Sequence, residues 1–189
     1  MEAFLVSITT ISVAEIGDRT QLLSLVLAAR YRRPWPIIAG ILCATLANHA
    51  VAGVIGVWFG SLLKPRTLDI VVGISMIAMA LWTLKPDKLD ENTGATSAAG
   101  AFLATLTSFF IAEIGDKTQI ATLALAAAYP SLIAVVAGTT AGMMIANVPV
   151  VFLGKAFANR LPLKAIHYGA AALFVILGTL FIARALWVS

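Results

Sequence analysis

Two copies of one heptapeptide hold most of the chain's reactive side chains. They are Glu15-Ile16-Gly17-Asp18-Arg19-Thr20-Gln21 and Glu113-Ile114-Gly115-Asp116-Lys117-Thr118-Gln119. Each sets two carboxylates, a base, a hydroxyl and a carboxamide inside an otherwise apolar stretch. Ionised groups in such a stretch are expensive, so they imply a task. Apart from the bases, every donor is an oxygen. Hard divalent cations such as Ca²⁺, Mg²⁺ and Mn²⁺ take ligands of this kind. The motif has neither Cys nor His, which argues against a soft-metal site.

On a helix, Glu15, Asp18 and Gln21 would share one face, and Glu113, Asp116 and Gln119 another, with Thr20 and Thr118 beside them. Two such stripes facing each other would place all eight residues around one point as metal ligands. The four acids carry −4 when ionised and Arg19 with Lys117 brings +2, so the remainder of −2 matches one divalent cation. Each base stands four residues after its Glu, which is ion-pair spacing on a helix. Arg19 and Lys117 are therefore expected to hold Glu15 and Glu113. Like charges crowded in an apolar medium repel, and a shared proton relieves that repulsion. A metal entering the site would expel the proton, which is the physical basis of metal/proton exchange. In this reading Glu15 and Glu113 are the proton-linked ligands, and Asp18 and Asp116 the more permanent ones. The plainer alternative is a pair of salt bridges that only fix packing, although apolar contacts would do that at lower cost.

Weaker candidates surround the motif. Asn48 and Asn147 fall at near-equivalent places and could line a pathway, or equally hydrogen-bond helix to helix. His49 reads as a packed or hydrogen-bonded residue. Cys43 reads as a small packing residue, and alone it forms no intramolecular disulfide. Pro149 is expected to kink its helix. Trp35, Trp58, Trp82 and Trp187 lie near the ends of apolar segments and read as interface anchors. Asp87, Asp90 and Glu91 read as a solvated loop.

Of the chain that carries these residues, 60% is apolar and only 12% charged, unlike a soluble domain. Apolar segments at about 3–29, 36–62, 67–84, 101–128, 131–154 and 166–187 lack strand alternation, and backbone in lipid must satisfy itself. They predict an all-α integral membrane protein of six transmembrane helices, with no room for a soluble catalytic domain. The N-terminus lacks a basic n-region, so a cleaved signal peptide is not expected. The net charge of +4, without a dense basic patch, suits loops facing anionic lipid and not nucleic acid. Eight basic residues (Arg30, Arg32, Arg33, Lys85, Lys88, Lys155, Arg160, Lys164) fall on one side against three (Lys64, Arg66, Arg184) on the other. The richer side is expected to be cytoplasmic, with both termini facing away from it.

The halves repeat beyond the heptapeptide. At an offset of 98, residues 15–31 and 113–129 share eleven identities in seventeen positions. Ser7, Thr9 and Thr10 recur as Thr105, Thr107 and Ser108, and Ala39-Gly40 as Ala137-Gly138. After an insertion, Gly73-x-x-x-Ile77-Ala78-x-Ala80-Leu81-Trp82 recurs as Gly178-x-x-x-Ile182-Ala183-x-Ala185-Leu186-Trp187. The expected division is a first three-helix repeat at 1–84, a cytoplasmic linker at 85–100 and a second repeat at 101–189. An odd number of helices per repeat turns the second upside down. Inverted repeats are a transporter design with the site at the midplane. Glycines 17 and 115 and the length of the first and fourth segments permit either a broken helix or a tilted continuous one.

Two copies of Glu-x-Gly-Asp-[Lys/Arg]-Thr, each in the first helix of a half, resemble the Golgi-type manganese and calcium transporter family. The likeness spans the whole chain, and the short central loop resembles the bacterial branch, which includes manganese exporters of the inner membrane. The resemblance implies a cation/proton antiporter, not an enzyme, with Glu15, Asp18, Thr20, Glu113, Asp116 and Thr118 at the site. No prosthetic group is implied; Mn²⁺ or Ca²⁺ is the cargo and protons the counter-ion. Manganese export is the leading expectation and calcium/proton antiport the alternative. An intramembrane aspartyl hydrolase is a distant third, because Gly-x-Gly-Asp is absent and each Asp follows a Glu. A non-transporting assembly subunit is a further, weaker reading.

Overall fold

The computed structural model describes residues 1–84, 100–153 and 163–187. The expected linker, apart from Gly100, lies outside them, as do its acids and Lys155 and Arg160. Eight helices are described: α1 Glu2–Glu15, α2 Arg19–Tyr31, α3 Pro34–Leu62, α4 Pro65–Thr83, α5 Ala101–Glu113, α6 Lys117–Ala128, α7 Leu132–Leu153 and α8 Leu163–Trp187. The described residues contain no strand. Helices α3 and α4 start on prolines, where a missing N–H costs nothing. Helix α7 is assigned without interruption through Pro149.

Among the described residues, four helices are long and apolar enough to cross a membrane: Pro34–Leu62, Pro65–Trp82, Leu132–Leu153 and Tyr168–Trp187. Their outer faces carry bare apolar side chains such as Leu46, Val54, Ile74 and Leu180. In water such a surface would be a liability, whereas in lipid it matches the solvent. All four tryptophans are exposed at or near helix ends. Cys43 departs from its reading as a packing residue, since it lies exposed on α3.

The first and fourth apolar segments are each two helices, not one. After Glu15 the backbone turns extended at Ile16 (ψ 121°), left-handed at Gly17 (φ 84°) and extended again at Asp18 (ψ 167°). The second copy repeats this at Ile114 (ψ 119°), Gly115 (φ 74°) and Asp116 (ψ 161°). A left-handed residue inside a helix interrupts its ladder, and glycine takes that conformation without Cβ strain. Asp18 and Asp116 then cap the next helix, accepting from Thr20 N and Thr118 N.

The helices interlock across the halves. Helix α1 packs on α7 and α5 on α3, while α2 meets α7 and α6 meets α3. Small residues set the closest crossings: a Cβ on Gly40 would fall 2.8 Å from Phe102 O, and one on Gly138 would fall 2.7 Å from Phe4 O. Helices α4 and α8 pack on each other, with α4 also on α6 and α8 on α1. One apolar core joins α1, α4, α6, α7 and α8 through Ile11, Met76, Leu125, Met143 and Phe174. A second joins α2, α3 and α5 to the end of α7 through Leu27, Ile41, Phe109 and Val151.

Candidate metal centre

The two helix breaks bring the motif acids together. Glu15, Asp18 and Asp116 each offer a carboxylate oxygen, and these oxygens lie within 4.8 Å of one another. All three residues are buried, at 0, 0 and 2% exposure. Among the described residues, both oxygens of Glu15 lack a hydrogen-bond partner, as do both of Glu113. Buried carboxylates without donors are costly unless a proton or a cation satisfies them. Three convergent carboxylates suit a hard divalent ion. Glu113, the fourth expected ligand, is not one of these three and has His49 beside it.

The bases correct one expectation. Lys117 pairs with Asp18, and Arg19 pairs with Asp116 at 3.2 Å. Neither holds the Glu of its own copy. The reason is the break: an i+4 pair faces together only on an unbroken helix, and each base begins a new one. For the same reason Glu15, Asp18 and Gln21 do not form a helical stripe, nor do Glu113, Asp116 and Gln119. Each base instead crosses to the opposite copy, and Arg19 also donates to Ala112 O at 2.5 Å, near the end of α5. Lys117 is buried, whereas the Arg19 side chain is 35% exposed.

The amides and hydroxyls brace the breaks. Gln21 Oε1 accepts from Gly17 N at 2.8 Å, and Gln119 Oε1 from Gly115 N at 2.8 Å. Both carboxamide oxygens expected as ligands are thus engaged by the motif's own backbone. Gln21 Nε2 donates to Ala146 O (3.0 Å), and Gln119 Nε2 to Asn48 Oδ1 (3.4 Å). Thr20 and Thr118 hydroxyls donate to Asp18 and Asp116, at 3.5 and 3.1 Å. Asn48 donates to Phe110 O on α5 at 3.1 Å. Asn147 accepts from Ser24 at 2.7 Å and donates to Met143 O at 3.1 Å. Asn48 therefore ties α3 to the second motif copy and to α5, and Asn147 ties α7 to α2. His49 is the residue that the motif pattern passes over. The signal for it was present, because at the strict offset of 98 His49, and not Asn48, aligns with Asn147.

Residues 3–91 and 101–187 match the family model of the divalent cation/proton antiporter GDT1. The chain belongs to the GDT1 family. A protein of Vibrio cholerae serotype O1, described as "Putative manganese exporter", is 52% identical over 178 residues, covering 94% of this chain and 88% of that one. The GDT1-like protein sll0615 of Synechocystis is 30% identical over 195 residues, covering 92% and 93%. Protein PAM71 of Arabidopsis thaliana is 36% identical over 94 residues, half of this chain. No solved structure matches. GDT1 is a family of antiporters, not of hydrolases, so membership removes the aspartyl-hydrolase reading.

Proposed function

We propose that this GDT1 member exports Mn²⁺ in exchange for protons through a centre formed by Glu15, Asp18 and Asp116, with Glu113 beside it. One observation carries the reading: buried carboxylates from both heptapeptides converge at two helix breaks. Broken helices suit ion binding, because half-helix C-terminal ends and unwound carbonyls attract cations. A cation at Asp18 and Asp116 competes with Lys117 and Arg19 for the same oxygens. Glu15 and Glu113, whose oxygens have no hydrogen-bond partner among the described residues, are the acids that exchange a proton for the metal. Thr20 and Thr118 hold the Asp side chains, and Gln21 and Gln119 hold the breaks. The manganese preference draws on the Vibrio cholerae relative.

The reading includes six spans in two inverted repeats, 1–84 and 101–189 joined by a linker at 85–100. Segments α1–α2 and α5–α6 are then two broken spans beside four continuous ones. Supporting this, Asp69 near the start of α4 pairs with Arg184 near the end of α8, at 3.4 Å, as antiparallel third helices require. The reciprocal contacts α1–α7 and α5–α3 support it too. The chain sits in the bacterial inner membrane with both termini outside the cytoplasm, a placement that rests on the count of basic loop residues.

Flux in proteoliposomes tests the proposal, with Mn²⁺ and Ca²⁺ in parallel and with and without a pH gradient. Mn²⁺ flux should depend on the gradient and fall at least about tenfold in Asp18→Asn and Asp116→Asn. Flux of Ca²⁺ in preference to Mn²⁺ would establish the calcium antiporter instead. Indifference to the gradient would remove the proton exchange.

A further inference from the structure

The Glu15, Asp18 and Asp116 trio offers only oxygen, and oxygen alone separates Mn²⁺ from Ca²⁺ poorly. One nitrogen donor that the motif does not include lies beside Glu113, the fourth motif acid. His49, on α3, has 0% exposure, and neither ring nitrogen has a hydrogen-bond partner among the described residues. Its Nε2 lies 3.7 Å from Glu113 Oε2, and both oxygens of Glu113 are likewise without a hydrogen bond. That separation is too long for a hydrogen bond. It suits two atoms sharing one ion: with metal–ligand bonds of about 2.0–2.6 Å, a gap of 3.7 Å subtends about 90–135° at the metal. A buried imidazole with both nitrogens unmet is a poor packing element, since each unmet group costs about 1–3 kcal/mol. The aligned position in the second half, Asn147, is occupied by bonds to Ser24 and Met143. Among the described residues, only the first half therefore presents a free nitrogen donor at this position.

Resting on the reading of this region as the cation centre, we propose that His49 Nε2 is a direct ligand of the transported ion, taken together with Glu113. Through it the protein prefers a first-row transition ion over Ca²⁺ and Mg²⁺. Imidazole nitrogen binds first-row metals, following their general affinity order, whereas Ca²⁺ and Mg²⁺ bind oxygen. The oxygen trio accepts either kind of ion, and the His49–Glu113 pair discriminates between them.

The test uses the full chain in proteoliposomes and in detergent, comparing wild type, His49→Gln and His49→Asn, with Asp18→Asn as reference. In mixed-ion uptake, both His49 variants should lose at least about tenfold in Mn²⁺-over-Ca²⁺ preference. Pulsed EPR of bound Mn²⁺ should show ¹⁴N coupling in the wild type, replaced by ¹⁵N coupling when histidine is labelled, and absent in His49→Gln. That variant keeps His167, so loss of the signal assigns it to His49. Bound Mn²⁺ without nitrogen coupling in the wild type would overturn the proposal. So would an equal loss of both ions in folded His49 variants, which is the mark of a packing role. If Asp18→Asn abolishes flux while the His49 variants keep the wild-type ion ratio, the His49 inference alone fails. If Asp18→Asn leaves flux intact, the centre itself is misplaced and His49 falls with it.

Discussion

Asp18 and Lys117 show how much one residue's role depends on the opposite copy. Their ion pair is buried on both sides, so its two members cannot be treated separately. Removing one partner of a buried pair leaves an uncompensated charge and costs about 3–5 kcal/mol. Lys117→Met should therefore lower thermal stability in metal-free buffer by roughly that amount. Under the proposed centre, the same change removes the group that would compete with a cation for Asp18. Mn²⁺ should then raise the variant's melting temperature by more than it raises that of the wild type. An equal metal-induced shift in both proteins would show that Lys117 does not compete for the site. Glu15→Gln with Glu113→Gln probes the proton side, and the pair should abolish the dependence of Mn²⁺ flux on a pH gradient. Unchanged flux with unchanged pH dependence would remove both residues from the exchange. The identity of these acids was legible in the sequence, because charges in apolar surroundings stand out. Their pairing was not, because spacing of four mimics a helical ion pair whether or not the helix is continuous. His49 was hidden for a different reason: one imidazole among apolar residues looks the same whether it is packed or poised.

At the scale of elements, the two breaks were legible only as a possibility. A glycine between two acids is compatible with a tilted helix, and only the tertiary setting decides. The structure decides with two glycines at φ 84° and 74° and an Asp cap after each. Gly115 offers a clean test, because a Cβ there would meet nothing within 4 Å. Any cost of Gly115→Ala is then conformational and not steric, about 1–2 kcal/mol for a left-handed alanine. Asparagine tolerates that region better, so Gly115→Asn should recover part of the loss. Thermal unfolding of the two variants in detergent checks the order. Alanine equal to or better than asparagine would mean that the break does not depend on a left-handed residue. The repeat was readable at an offset of 98 up to the insertion that precedes the third helices, as were the helix class and the helix ends that proline and charge mark.

The whole molecule is less symmetric than its sequence. Helices α4 and α8 form one antiparallel pair, crossing where a Cβ on Gly73 or Gly178 would fall 2.7 Å from the other's carbonyl. This pair packs on α1 and α6 but not, among the described residues, comparably on their counterparts α5 and α2. The cores divide the same way, since the α2–α3–α5 core takes no residue from α4 or α8. Under the inverted-repeat reading, α1 and α6 lie towards the face of the N-terminus, and α2 and α5 towards the basic, cytoplasmic face. Exchanging the roles of the repeats generates the opposite arrangement, with α4 and α8 packed on α5 and α2. Alternating access by rocking of one bundle against the other follows from that exchange. The α4–α8 pair should move as a unit while its contacts with α1 and α6 break and reform. Crosslinks separate the two kinds of contact. Tyr129, just after α6, meets Phe181 of α8 with ring centroids 6.2 Å apart, whereas Asp69 and Arg184 join α4 to α8. In a Cys43→Ser background, bridging cysteines placed at Tyr129 and Phe181 should stop Mn²⁺ flux at least about tenfold, with reductant restoring it. Bridging cysteines at Asp69 and Arg184 should leave flux close to that of the reduced form. Full turnover of the bridged Tyr129–Phe181 variant would show that α8 stays on α6 throughout the cycle, and the exchange of repeats would not be the transport step.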